Sequence, residues 1–175
     1  MDPKVLEKAI LLAKEAHKGQ KDKGGAPYIE HPMRVMAAVR TTDEKIIAVL
    51  HDVMEDTSLT ACDLKSRLGL SDDLLYALQL LTRDPYQNYM DYIRRLAQNP
   101  LAAAVKAADL EDNMNLSRLP SITPKDLRRT EKYSAAKNFC INFPNTENRQ
   151  QMHPAITSTA SSSTLKNHPG CALCL

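Results

Sequence analysis

The stretch from residue 42 to residue 57 reads TDEKIIAVLHDVMEDT. Apolar residues occupy most faces of its first part, which is typical of a helix at the centre of a domain. His51 and Asp52 follow within the same run, and Glu55 and Asp56 come three and four residues after Asp52. Helical spacing therefore directs one imidazole and three carboxylates towards one end of this helix. Because a carboxylate buried without a partner costs several kcal/mol, the cluster predicts a compensating group.

Two interpretations of this cluster are open from these residues alone. A divalent cation would compensate the carboxylates, because imidazole nitrogens and carboxylate oxygens are ordinary ligands of such ions. Alternatively, the helix ends in solvent and His51 is a hydrogen-bonded residue of the core.

The rest of the sequence predicts further helices and no strand. Gly is scarce, with 5 residues in 175, and Trp is absent, a composition that favours helices over twisted sheet. Capping residues precede several apolar periodic runs, at Thr60, Ser71 and Thr123. Later runs extend from Leu74 to Leu81, Tyr89 to Ala97, Leu101 to Leu116 and Leu127 to about Phe139. We expect one all-α domain over residues 1–140, a compact bundle of about eight helices.

The composition changes after about Asn142. Pro, Asn, Gln, Ser and Thr dominate there, and seven of the eight residues 157–164 are Ser or Thr. Such a segment buries too little apolar surface to offset the conformational entropy that it would lose on folding. We therefore expect residues 141–175 to form a polar, disordered tail.

Charge and cysteine usage exclude several classes of protein. The 23 basic and 21 acidic residues are interspersed along the chain, so nothing predicts a nucleic-acid partner. No apolar stretch is long enough for a membrane span or an export signal. Four cysteines, unevenly placed, do not suggest a disulfide framework. We expect a cytoplasmic protein without a membrane partner, and the oligomeric state stays open.

A second set of polar residues also follows helical spacing. Lys106, Asp109 and Asn113 fall at i, i+3 and i+7 and share one helix face. A surface stripe with a local ion pair between Lys106 and Asp109 would explain this face as well as a functional site would. His31 is a third candidate, at a helix start beside a Gly-rich loop over residues 19–27, and a simple helix entry is its alternative.

Together these segments resemble the HD-domain phosphohydrolases. Within that family they are most similar to the hydrolase domain of the RelA/SpoT alarmone enzymes, especially the stand-alone small alarmone hydrolases. The resemblance covers about residues 4–138, and the motifs occur in the family's order. The matching segments are Ala16-His17-Lys18-Gly19-Gln20, PYIEHP from Pro27, LHDVMEDT from Leu50, Leu81-Thr82-Arg83, KAAD from Lys106, and Asn113.

The resemblance implies a metal site and a catalytic pair. It implies that one divalent ion, manganese in most of the family, is bound by four residues: His31, His51, Asp52 and Asp109. It further implies that Glu55 and Asp56 activate and orient the attacking water.

The resemblance is less complete for substrate binding. Asn113 matches a residue near the nucleotide's ribose, Lys23 matches a basic residue beside the base, and Lys21 adds a cation for the phosphates. Asp22 stands where the long enzymes have Arg, and Leu116 stands where they have Thr. These departures bear on base and ribose recognition rather than on the chemistry.

The activity that the resemblance implies is hydrolysis of the 3′-pyrophosphate of guanosine tetraphosphate or pentaphosphate (ppGpp or pppGpp) to GDP or GTP and pyrophosphate. The partner would then be a small nucleotide. One alternative is a related phosphohydrolase that acts on another nucleotide, such as NADPH. Another is a module that binds the alarmone without turnover.

Overall fold

A computed structural model describes residues 3–143, which belong to one compact unit. Within these residues the chain forms nine α-helices, one 3-10 turn and no strand beyond an isolated antiparallel bridge between Lys21 and Pro27. The all-α prediction is therefore confirmed. The helices are α1 Pro3–Ala16, α2 Glu30–Ala38, α3 Thr42–Leu50, α4 Val53–Asp56, α5 Ala61–Leu68, α6 Asp72–Leu81, α7 Tyr89–Leu96, α8 Pro100–Met114 and α9 Pro124–Asn142, and the 3-10 turn Leu116–Arg118 follows α8.

Capping chemistry sets where three of these helices begin. Thr41, Thr60 and Thr123 each accept the backbone N–H of the acidic residue three positions later, whose carboxylate accepts the N–H of the cap in return. These reciprocal bonds satisfy donors that the first helical turn cannot satisfy. The caps at Thr60 and Thr123 lie where the sequence predicts them.

Helices α3 and α8 form the centre of the bundle. All residues of α3 from Ile46 to Leu50 are fully buried, and this helix packs against α1, α2, α6 and α8. Helix α8 packs in turn against α2, α3, α6 and α9. Because α2, α3 and α8 contact one another in pairs, side chains on their adjoining faces can meet.

The helix that the sequence predicts through His51 and Asp52 is interrupted. These two residues form the turn between α3 and the four-residue α4. The Nδ1–H of His51 donates to the carbonyl oxygen of Ala48 at 2.7 Å, and a side chain that bonds a carbonyl in this way competes with the helical ladder. Glu55 and Asp56 remain one turn beyond Asp52, because the N–H groups of both donate to the Asp52 carbonyl.

The last helix extends further than the sequence predicts. Helix α9 continues to Asn142, because Cys140 is buried against the core and the rings of Phe139 and Phe143 pack 5.3 Å apart. The predicted disorder of the tail concerns residues that lie, from 144 onward, outside the described part of the chain. Between residues 3 and 143, no helix has the length and apolar character needed to cross a membrane.

Candidate metal centre and active site

Four side chains from α2, the α3–α4 turn and α8 converge at one place, and we call them the His/Asp cluster. His31 Nε2 lies 3.1 Å from Asp109 Oδ1 and 3.7 Å from Asp52 Oδ2. His51 Nε2 lies 3.1 Å from Asp52 Oδ2 and 3.6 Å from Asp109 Oδ1. The structure thus brings together all four residues that the sequence analysis expects to bind a metal.

Each imidazole of the cluster is fixed by a hydrogen bond on its outer side. His31 Nδ1 donates to Asp112 Oδ2 at 2.7 Å, and His51 Nδ1 donates to the carbonyl of Ala48 at the same distance. When the ring protons lie on Nδ1, both Nε2 atoms are left free to bind a cation held between them and the carboxylates. An outer partner that orients the ring in this way is typical of metal-binding histidines.

The donor atoms of the cluster fit a divalent cation. His51 Nε2 is buried and has no hydrogen-bond partner among the described residues. His31, His51 and Asp52 each offer one ligand atom, and these atoms lie within 4.8 Å of one another. Imidazole nitrogens combined with carboxylate oxygens suit a borderline or hard divalent ion. The site can therefore hold a metal.

Charges within the cluster shift its proton affinities strongly. Burial opposes ionisation of Asp52, but His51 and His31 outweigh it and lower the pKa of Asp52 to about 2. Burial likewise opposes the charged form of Asp109, yet Lys106 and the two imidazoles hold its pKa well below the usual range. Burial lowers the pKa of His51, and the carboxylates of Asp52 and Asp109 raise it well above its ordinary value. A proton and a divalent cation are therefore alternative partners for His51 Nε2.

Asp109 is held through both of its oxygens. Lys106 Nζ lies 2.7 Å from Oδ2, and Asn113 Nδ2 donates to Oδ1 at 2.6 Å. The ion pair considered from the sequence is thus present. It is not part of a surface stripe, because the side chains of Lys106 and Asp109 are only 16% and 5% exposed.

A pocket with a cavity volume of 380 Å³ opens over the cluster, a size typical of small-molecule sites. The five other residues predicted for the site all line it: Lys21, Lys23, Glu55, Asp56 and Asn113. The lining also contains three arginines to which the sequence analysis gave no role, Arg83, Arg118 and Arg129. The wall of the pocket is therefore rich in cations.

Glu55 has the surroundings of a proton acceptor. Its Oε2 accepts the backbone N–H of Arg83 at 3.1 Å. Burial raises the pKa of Glu55 above its ordinary value, the Arg83 N–H lowers it in part, and the charges of Asp52 and Asp56 raise it further. A carboxylate with a raised pKa in such a pocket is typical of a general base.

Three residues that support the site were not identified from the sequence. The hydroxyl of Tyr28 donates to Asp52 Oδ2 at 2.6 Å. Asp112, which fixes His31, accepts two hydrogen bonds from Arg34, from Nε at 2.7 Å and from Nη2 at 3.1 Å. Helical spacing could have pointed to Asp112, because it lies on α8 within one turn of a predicted ligand. No local signal connects Arg34 with Asp112.

Comparisons with curated proteins place this geometry in context. No family model matches the chain. The chain is 32% identical over 139 residues to the bifunctional (p)ppGpp synthase/hydrolase SpoT of Escherichia coli, a match that covers 72% of this chain and 20% of that protein. It is 34% identical over 119 residues to the guanosine-3′,5′-bis(diphosphate) 3′-pyrophosphohydrolase of Aquifex aeolicus. That match covers 62% of this chain and 17% of the Aquifex protein. The chain thus spans about a fifth of the length of these relatives.

A solved structure has the same architecture. It is described as a metazoan ortholog of SpoT that hydrolyzes ppGpp and plays a role in starvation responses. The two chains align with a TM-score of 0.62 and 21% sequence identity, over 81% of this chain and 86% of that one. This likeness confirms the HD-type all-α fold that the sequence predicts.

Proposed function

We propose, from the premise that this chain carries a RelA/SpoT-type alarmone hydrolase domain, that it hydrolyses the 3′-pyrophosphate of ppGpp or pppGpp to give GDP or GTP and pyrophosphate. In this proposal the catalytic domain, which the sequence predicts over residues 1–140, extends through α9 to Asn142, and the predicted tail of residues 141–175 begins after that helix. The observation that carries the proposal is the His/Asp cluster at the base of a pocket that also holds an acidic pair and several cations. A metal site, a proton acceptor and a group of cations together suit the hydrolysis of a polyanion.

The His/Asp cluster would hold one divalent ion, which we propose to be manganese. Such an ion, when bound, lowers the pKa of a water molecule and offsets phosphate charge. The mixed nitrogen and oxygen donors support this choice, because they suit ions of intermediate hardness.

Glu55 is the proposed general base. It accepts a proton from the attacking water, and Asp56, its neighbour in α4, orients that water. The hydrogen bond from the Arg83 N–H holds the Glu55 carboxylate in place, and its raised pKa makes it a better proton acceptor. The water oxygen then bonds to the nearer phosphorus of the pyrophosphate, the bond between that phosphorus and the 3′ oxygen breaks, and the 3′ oxygen takes up a proton to become a hydroxyl.

The remaining pocket residues would bind the nucleotide. Lys21 and Lys23 offset phosphate charge, as do Arg83 and Arg129 on the same wall. Asn113 is the proposed ribose contact. Its amide already donates to Asp109 Oδ1, so it would hold the ribose beside the cluster.

Product analysis tests this function directly. Manganese-loaded protein is incubated separately with ppGpp and with NADPH, and the products are resolved by ion-exchange chromatography. We expect GDP and pyrophosphate from ppGpp. Phosphate release from NADPH alone would instead select the related phosphohydrolase, and alarmone binding without products would select the non-catalytic module. An Asp52→Asn variant, purified in parallel and expected to be inactive, excludes a contaminating hydrolase.

A further inference from the structure

Arg118, the last residue of the 3-10 turn, connects two parts of the pocket that are distant in sequence. Its Nη1 lies 3.0 Å from Oδ2 of Asp22, in loop 19–27. Its Nη2 donates to the carbonyl of Asp112 at 2.9 Å and lies 3.4 Å from Asp112 Oδ2. That same Oδ2 accepts the hydrogen bond from His31 Nδ1. One guanidinium therefore contacts both the loop and the carboxylate that fixes a proposed metal ligand.

These contacts are largely shielded from water. The side chains of Asp22 and Asp112 are 10% and 11% exposed, and that of Arg118 is 27% exposed. Ion pairs in such surroundings are screened less than pairs on the surface. The other oxygen of Asp22, Oδ1, accepts the N–H groups of Gly24 and Ala26 at 2.9 and 3.0 Å. Asp22 therefore both shapes the turn of the loop and ties it to Arg118.

The loop and the 3-10 turn also approach each other through their backbones. A Cβ atom at Gly24 would lie only 2.6 Å from the carbonyl oxygen of Arg118, so a side chain at this position would push the two segments apart. Lys21 and Lys23 flank Asp22 and line the pocket. The position of these two cations therefore depends on the contact between the loop and Arg118.

Arg118 lines the pocket as well, but its charge is already engaged. Its guanidinium faces the carboxylates of both Asp22 and Asp112, so it has little capacity left to offset substrate phosphates. This arrangement favours an indirect role over direct substrate binding.

We propose that Arg118 is a positioning residue that holds loop 19–27 over the pocket through Asp22 and orients His31 through Asp112. Nucleotide affinity and metal affinity both depend on this one side chain. This role also accounts for the Asp at position 22, where the long enzymes have Arg, because Asp22 pairs with the guanidinium of Arg118 from another segment. Its kinetic readouts rest on the proposed hydrolase function.

A double-mutant cycle on the full-length, manganese-loaded protein tests this role. In Arg118→Ala and in Asp22→Ala we expect KM for ppGpp to rise roughly tenfold, the size of one lost charge-assisted contact, with kcat changed less than about threefold. The rise in KM in the double variant should be smaller than the product of the two single effects, because both substitutions remove the ion pair between Arg118 and Asp22. Arg118→Ala should also weaken manganese binding roughly tenfold, as the loss of an outer partner does, whereas Asp22→Ala should not.

The matched control is Arg94→Ala. Arg94 forms an exposed ion pair with Asp91 at 2.6 Å and does not line the pocket, so KM and manganese affinity should stay unchanged. Asp22→Asn removes the charge but keeps an oxygen for the turn. It serves the same cycle if the alanine variants do not fold.

Hydrogen–deuterium exchange separates failure of this proposal from failure of the proposed function. Amides of loop 19–27 should exchange faster in Arg118→Ala, while those of α3 stay protected. This readout and manganese affinity require no turnover, so they decide the role of Arg118 even if the wild-type protein leaves ppGpp intact. Unchanged exchange in the loop would overturn the proposal, as would additive KM effects in the double variant.

Discussion

Replacing Asp109 by alanine should reveal two separate roles of one carboxylate. Its side chain is 5% exposed and pairs at 2.7 Å with the ammonium of Lys106, whose side chain is 16% exposed. Removal of one partner from a buried ion pair leaves the other charge uncompensated and typically costs about 3–5 kcal/mol. Because domains of this size are stable by about 5–15 kcal/mol, we expect Asp109→Ala to fold with a much smaller free energy of unfolding.

The double variant Asp109→Ala/Lys106→Met separates the ion pair from metal binding. Methionine removes the cation but fills most of its space, so at least about 2 kcal/mol of stability should return. Manganese affinity should not return, because the ligand oxygen is still missing. At a manganese concentration of 100 times its Kd, the wild-type protein should gain about 2.7 kcal/mol from binding. Neither variant should show this gain.

Urea unfolding followed by circular dichroism, with and without manganese, measures both effects. Asp73→Ala, which removes an exposed carboxylate from the first turn of α6, is the control and should keep the response to manganese. If the double variant responded to manganese as the wild type does, Asp109 would not be a ligand. If Asp109→Ala were as stable as the wild type, the energetic argument for the buried pair would be refuted.

Three other perturbations test further parts of the account. Glu55→Gln should bind manganese and ppGpp almost normally but lose about 10²–10⁴-fold in kcat, measured as pyrophosphate release; loss of the metal would make Glu55 a ligand instead. Manganese affinity should increase as pH rises towards the raised pKa of His51, because the ion must displace a proton from His51. Calorimetry in buffers of different ionisation enthalpy should detect the released proton. A manganese affinity that does not depend on pH would contradict this prediction. Truncation after Phe143 should preserve turnover and the unfolding midpoint, because α9 with the buried Cys140 stays whole; a loss of either would show that residues 144–175 contribute.

The sequence predicts those parts of the fold that depend on local chemistry. The caps at Thr60 and Thr123 act on backbone groups within one turn, so their positions can be identified from neighbouring residues alone. The break between α3 and α4 was not predicted, because the apolar run around it has the pattern of a continuous helix. At this break the side chain of His51 donates to the carbonyl of Ala48, a bond that no periodicity in the sequence signals.

In the candidate site, too, the sequence predicts what short motifs signal and misses what only tertiary packing creates. The His/Asp cluster was expected because its residues stand in short motifs that resemble those of the HD-domain phosphohydrolases, and the packing of α2, α3 and α8 then brings them together. Their role as metal ligands stays a prediction. The contacts of Arg118 with Asp22 and Asp112 were not foreseen, since residues 22 and 118 meet only through tertiary packing and no spacing in the sequence signals it.

Titration of manganese into the metal-free protein, with pyrophosphate release from ppGpp measured at each ratio, tests the central claim most directly. The account predicts that GDP and pyrophosphate are the products and that the rate rises with added manganese until one ion is bound per chain. An Asp52→Asn variant should stay inactive throughout the titration. A rate that does not depend on manganese, or no pyrophosphate release at saturating manganese, would contradict the account.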